Sequence, residues 1–273
     1  MQVTEIAVPG PASRTPAEVG SESVPVRRYA PEGTPWATLV WAHGGSFVHG
    51  TLDWPEADWT SRRFAEAGIL VYSVDYGVAT KSVKAPGPSN DVAAVLRRVA
   101  EETTGPVAVG GASAGGQLAV LAALDQAASG SRRPSALLLE YPTLHRVQLP
   151  NAAIAAATKD LPERRRFGAD RIAAMYDFYL GSGEAPVAGE LPPETLAELP
   201  PTIIVNADRD DLRASGEQFG EQLRRAGVPA AVHVQPGTVH GYLNRPEESE
   251  QSLRDARATI DTFVAELRGI LAR

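Results

Sequence analysis

The run Gly110-Gly111-Ala112-Ser113-Ala114-Gly115-Gly116 constrains this chain more than any other stretch. It follows an apolar run at 106–109 and precedes a helical run at 117–128. It therefore reads as a strand, a sharp turn and a helix, with a serine at the tip. Gly111, Ser113 and Gly115 fit the pattern Gly-x-Ser-x-Gly. A nucleophile lifted out of so tight a turn is held in a strained backbone conformation, and side chains two positions to either side would collide. Glycine removes those side chains and leaves the serine oxygen exposed, with the Ala114 N–H beside it. A plain strand-to-helix turn built of small residues has the same pattern, so the rest of the chain has to decide.

The flanking elements favour a sheet that can carry such a turn. Residues 2–8 and 23–29 alternate apolar and polar and read as half-buried strands near a sheet edge. Short apolar runs at 38–42, 69–74, 106–109, 136–140, 202–206 and 230–235 read as further strands. Between them lie helical patterns: one from Asp53 as cap to Ala67, one capped by Ser89 or Asn90, then 117–128, 215–226 and a last helix from about 246 to 271. Strands alternating with helices imply an α/β fold, a mostly parallel eight-stranded sheet with helices on both faces. The alternation breaks between Pro142 and Leu199, which is too long for an ordinary connection. That stretch, 143–198, reads as a small helical lid over the C-terminal edge of the sheet within a single domain, 1–273. The strand at 230–235 reads as an edge on which a homodimer could pair.

Composition excludes several functions. The 273 residues are 43% hydrophobic and 22% charged, enough for a sizeable core. A net charge of −7 disfavours nucleic acid and anionic membranes as partners. With no cysteine there is no disulfide, no thiolate metal site and no cysteine nucleophile. No apolar run approaches the roughly 20 residues that span a bilayer. The first residues lack the basic and apolar segments of a secretory signal, so a cytoplasmic protein is expected. The glycine patterns of phosphate and dinucleotide loops are missing.

Acyl transfer through serine needs a base within reach, an acid to orient it, and N–H donors for the oxyanion. Of the five histidines, His233 lies inside a strand, His145 opens the long connection, and His43 and His49 flank a glycine loop. His240 follows the last strand, where a base can swing over the sheet edge toward Ser113. The acid belongs after the strand at 202–206, where Asp208, Asp210 and Asp211 all lie, and spacing does not choose among them. The loop His43-Gly44-Gly45-Ser46-Phe47 offers the N–H groups of Gly44, Gly45 and Ser46, which with that of Ala114 would make an oxyanion hole.

Together these residues resemble the hormone-sensitive-lipase-like carboxylesterases of the α/β-hydrolase fold. The family signature His-Gly-Gly-Gly-Phe/Trp is matched by His43 to Phe47, with Ser46 in place of the third glycine. The elbow Gly-Asp-Ser-Ala-Gly-Gly-Asn-Leu-Ala is matched by Gly111 to Ala119, with Ala112 and Gln117 as departures. The segment Asp-Pro-Leu-Arg-Asp is matched by Asp210 to Ala214, and the resemblance thereby picks Asp210 as the acid. His-Gly-Phe is matched by His240-Gly241-Tyr242. Of the family's Tyr-Arg-Leu-Ala-Pro-Glu only Asp75-Tyr76 survives, and a first strand near Gln2 leaves no room for N-terminal lid helices, so a more open pocket is expected. Phe47, Tyr76, Tyr141, Phe178 and Tyr242 are the expected lining. The resemblance implies a serine esterase with the triad Ser113, His240 and Asp210, a small-molecule ester as substrate, and no metal or organic cofactor. An arylformamidase-type amide hydrolase is the near alternative. A non-catalytic ligand receptor on the same fold is the distant one, and it would be expected to have lost a triad residue.

Overall fold

Eight strands form one sheet in the computed structural model, which describes residues 1–14, 21–148 and 150–273. They are β1 (Gln2–Pro9), β2 (Ser23–Ala30), β3 (Ala37–Ala42), β4 (Ile69–Val74), β5 (Val107–Ala112), β6 (Ala136–Glu140), β7 (Thr202–Arg209) and β8 (Ala230–Val239). Their spatial order is β1-β2-β4-β3-β5-β6-β7-β8. The alternating segments β1 and β2 run antiparallel at one edge, and the continuous apolar runs from β3 onward are parallel. Every residue of β3, β4, β5 and β6 is buried. That is the signature of a parallel sheet covered on both faces, where alternation has no purpose.

The helices are α1 (Asp58–Glu66), α2 (Gly87–Glu102), α3 (Ala114–Ala128), α4 (Ala152–Thr158), α5 (Ala169–Leu180), α6 (Pro193–Leu196), α7 (Arg213–Arg225) and α8 (Glu250–Leu271). One core lies under α2, α3 and α7, built from residues such as Val40, Val109, Leu118, Leu137, Ile204 and Phe219. The other lies under α1 and α8 and contains Trp41, Phe64, Leu138, Ile203 and Phe263.

Several boundaries depart from the sequence pattern. Asp53 is not a helix cap: its carboxylate receives Arg27 Nη2 at 2.9 Å, and a turn through Pro55 delays α1 to Asp58. Helix α2 starts at Gly87, ahead of Ser89, because Pro88 in the first turn loses no hydrogen bond there. The Ser89 hydroxyl donates to Pro86 O instead of capping. Helix α8 starts at Glu250, capped by Ser249, whose hydroxyl accepts from Ser252 N at 3.0 Å. Strands β7 and β8 run on past Asn206 and Gln235 to a register shift, after which Arg209 pairs with Val239. This extension carries the ends of both strands to the serine.

The long connection between β6 and β7 is helical, as the sequence implies, and holds α4, α5 and the short α6. It is tied down at several points. Gln117 of α3 donates to Pro186 O at 3.1 Å and accepts from Ala188 N at 3.0 Å. Tyr179 of α5 stacks on Phe47, with ring centroids 4.0 Å apart.

Candidate active site

The glycines of the elbow are there because backbone occupies the space a side chain would need. A Cβ at Gly115 would lie 2.2 Å from Ala42 O, and one at Gly111 would lie 2.5 Å from the Gly115 carbonyl carbon. Ser113 itself has φ 51° and ψ −116°, a conformation that L residues rarely hold. The turn is pinned by Ser113 N donating to Glu140 O at 2.9 Å, and by Gly116 N and Thr143 N donating to Ser113 O at 3.1 and 3.2 Å.

Ser113 Oγ is 3.0 Å from His240 Nε2, and His240 Nδ1 is 2.7 Å from Asp210 Oδ2. The Asp210 side chain is fully buried and that of His240 is 10% exposed. Leu212 N donates to the other Asp210 oxygen at 3.0 Å, which fixes the carboxylate plane. The neighbouring aspartates have other partners. Asp208 accepts from Arg213 Nη1 and from Gly237 N, each at 3.0 Å. Asp211 faces the long connection.

The other histidines do not reach the serine. His145 is buried between Ser215 Oγ at 2.8 Å and Gln222 Oε1 at 3.1 Å, and burial lowers its pKa. His233 lies 3.0 Å from Glu266 on the sheet edge. His43 is buried and donates from Nδ1 to Gly44 O at 2.7 Å, while Tyr76 stacks on its ring at 4.4 Å. Burial drives the His43 pKa from the ordinary 6.5 down to about 4. The unfolded chain therefore binds a proton below pH 6.5 that the folded chain refuses until about pH 4. Stability present above pH 6.5 falls as the pH drops through that window, by about 3 kcal/mol from this residue. Urea midpoints at pH 5 and pH 7.5 sample about 2 kcal/mol of that loss, and His43→Asn is expected to flatten that part of the slope.

Ala114 N–H is the first of α3 and belongs to the group that a helix leaves unpaired. The glycine loop corrects one expectation. The Gly44 N–H is already committed, donating to Glu56 Oε2 at 2.5 Å, so it is not a free oxyanion donor. The loop donors left are those of Gly45 and Ser46, at φ 114° and φ 53°. Ser46 thus adopts the left-handed backbone for which glycine is the usual residue. For an oxyanion donor it is the N–H that counts, not the side chain. Ser46→Gly is expected to leave kcat unchanged, whereas Ser46→Pro, which removes the N–H and forbids that φ, is expected to cost about 10²–10³ in kcat. Steady-state kinetics on a p-nitrophenyl ester reads both.

Glu56 is a buried side chain beside the site that the sequence pattern misses. It is 1% exposed, and besides the Gly44 N–H it accepts the Tyr141 hydroxyl proton at 2.5 Å. Burial raises its pKa, against the opposing pull of Tyr141, Gly44 N–H and His240. The Tyr141 ring in turn packs on His240 at 4.8 Å, so one carboxyl braces both the glycine loop and the base. No local motif marks it, since its partners lie far along the chain.

Four of the five expected lining residues have other placements. Tyr76 donates from its hydroxyl to His43 O at 2.8 Å and Gly44 O at 3.1 Å, supporting the glycine loop. Phe47 is fully buried against Tyr179, and Tyr242 is buried in the second core with its hydroxyl on Thr259. Phe178 is 42% exposed under Lys84, on the outer side of α5. Of the five, Tyr141 touches the triad. The ring in contact with His240 from the long connection is instead Phe167, with centroids 4.4 Å apart. Among the described residues, no cluster of His, Asp or Glu could hold a metal ion, and no helix is long and apolar enough to cross a membrane.

Residues 39–244 match the α/β hydrolase fold family. The chain is 35% identical over 256 residues to esterase LipI of Mycobacterium tuberculosis, covering 89% of this chain and 75% of that protein. It is 33% identical over 246 residues to carboxylesterase NlhH of the same organism, covering 85% and 75%. The solved structure of a hyperthermophilic esterase from the archaeon Pyrobaculum calidifontis aligns with a TM-score of 0.82 at 27% identity, over 100% of this chain and 87% of that one. The chain belongs to the α/β-hydrolase fold family, among its hormone-sensitive-lipase-like carboxylesterases.

Proposed function

We propose that this protein hydrolyses carboxylic esters through an acyl-enzyme formed on Ser113. The observation that carries the reading is the unbroken hydrogen-bonded line from Ser113 Oγ through His240 to Asp210. His240 Nε2 takes the hydroxyl proton as Ser113 Oγ attacks the ester carbonyl. Asp210 stabilises the imidazolium that forms and holds Nδ1–H toward itself. The N–H groups of Ala114, Gly45 and Ser46 receive the charge on the carbonyl oxygen. His240 then gives its proton to the departing alkoxide, and the acyl group stays on Ser113. Water, deprotonated by the same imidazole, attacks the acyl-enzyme. The carboxylic acid leaves and Ser113 regains its proton.

LipI, NlhH and the archaeal protein are esterases by name, which supports an ester over an amide as substrate. The stretch 143–198 is read as the lid of a single domain, since Phe167 reaches the base from it. A cytoplasmic location and a dimer through the outer edge of β8 belong to the same proposal. The test sets p-nitrophenyl acetate and butyrate beside N-formylkynurenine, with a fluorophosphonate probe to label the nucleophile. Faster turnover of the esters with labelling at residue 113 is expected. Faster turnover of the formamide would move the protein to the amide hydrolases, and no labelling with no turnover would make it a receptor.

A further inference from the structure

Asp211 stands where the family segment Asp-Pro-Leu-Arg-Asp has its proline, directly after the residue that orients His240. A carboxylate there has no part in the triad, yet its side chain is only 2% exposed and its hydrogen bonds go to the long connection. Arg166 grips it with two nitrogens, Nε to Oδ2 at 2.8 Å and Nη2 to Oδ1 at 3.1 Å. Phe167 N donates to Oδ2 at 2.9 Å, and the Thr158 hydroxyl lies 3.0 Å from Oδ1. Burial alone would raise the Asp211 pKa, but Arg166, the Phe167 N–H and Thr158 outweigh it and hold the carboxyl below its ordinary value. A paired fork of this kind fixes direction as well as position.

What the fork fixes is the backbone of Phe167, whose ring lies against the His240 imidazole. The Arg171 guanidinium is 4.0 Å from the centre of that ring, and its Nη1 donates to Arg166 O at 2.7 Å. The segment is therefore braced from two elements. Chemistry then says which part of an ester the ring meets. His240 Nε2 must hand a proton to the departing oxygen, so the alcohol moiety has to lie within hydrogen-bond reach of the imidazole. The acyl moiety stays bonded to Ser113 and has no such need to lie near the imidazole. A ring packed on the imidazole borders the alcohol side.

We propose that Asp211 is a specificity-determining positioning residue: through Arg166 and the Phe167 N–H it holds Phe167 against His240, and Phe167 thereby limits the size of the alcohol that the site accepts. This rests on the serine-esterase reading above. The experiment uses the full chain and two series, acetates with alcohols from ethyl to cyclohexyl and benzyl, and p-nitrophenyl esters of lengthening acyl chain. Phe167→Ala is expected to raise the ratio of kcat/KM for bulky over small alcohols about tenfold or more. Asp211→Asn, which breaks the fork, is expected to shift the same ratio in the same direction by less. The double variant should go no further than Phe167→Ala, because the wall is then already gone. The acyl ratio should stay put in all three. A loss of thermal midpoint with unchanged alcohol ratios, or a shift in the acyl ratio instead, overturns the proposal. Phe167→Ala decides between these outcomes even if Asp211→Asn does not fold. Wild-type ester turnover and fluorophosphonate labelling report separately on the parent reading, so failure of one is distinguishable from failure of the other.

Discussion

Ser113→Ala is expected to lower kcat on p-nitrophenyl acetate by about a million-fold, with KM little changed. The oxygen that attacks is removed while the elbow is kept, since alanine fills the same space and its N–H still donates to Glu140 O. The oxyanion donors survive as well, so some acceleration over water should remain, on the order of 10³-fold. Fluorophosphonate labelling must disappear at the same time. Activity equal to wild type, or a label retained in the variant, would mean that another residue does the chemistry.

Asp210→Asn is expected to cost about 10⁴ in kcat while the fold stays intact. The reason lies in the second oxygen of the carboxylate. Leu212 N donates to Oδ1, so an asparagine must place its carbonyl there and turn its NH₂ toward His240 Nδ1. A donor facing Nδ1 forces the proton of the neutral imidazole onto Nε2. That nitrogen then cannot accept the Ser113 proton. The thermal midpoint and kcat, measured together, check this: a loss of activity matched by a loss of fold would not support the tautomer argument, and neither would full activity.

The proposed triad is legible in the sequence because the region of each member is marked locally. Ser113 is bracketed by glycines, His240 follows the last strand, and Asp210 lies where a strand ends. Spacing alone does not separate Asp210 from Asp208 and Asp211; family resemblance does, and the three carboxylates turn to different partners. The strands are legible for a related reason, since runs such as Leu137 to Leu139 are apolar without alternation and a doubly covered sheet has few other uses for them. Helix starts are not, because Asp53 and Ser89 carry plausible capping chemistry that long-range pairing or a proline turn redirects. Glu56 and Phe167 are invisible for the same reason at larger scale. Their importance comes from Gly44, Tyr141 and His240, brought to them by the sheet order and by the fork on Asp211. The aromatic lining is not legible either, because an aromatic ring near a motif has the same composition whether it faces a ligand or the core.

The left-handed torsion at Ser113 sets a trade between durability and chemistry. Holding a side chain at φ 51° costs about 1–2 kcal/mol, and the close packing of β3 and β5 around the elbow sustains that tension. A lineage that gave up hydrolysis could exchange this serine for glycine and relax at a single bond. The tension thus sits on the proposed nucleophile itself, written in a torsion angle and not in the contacts around it.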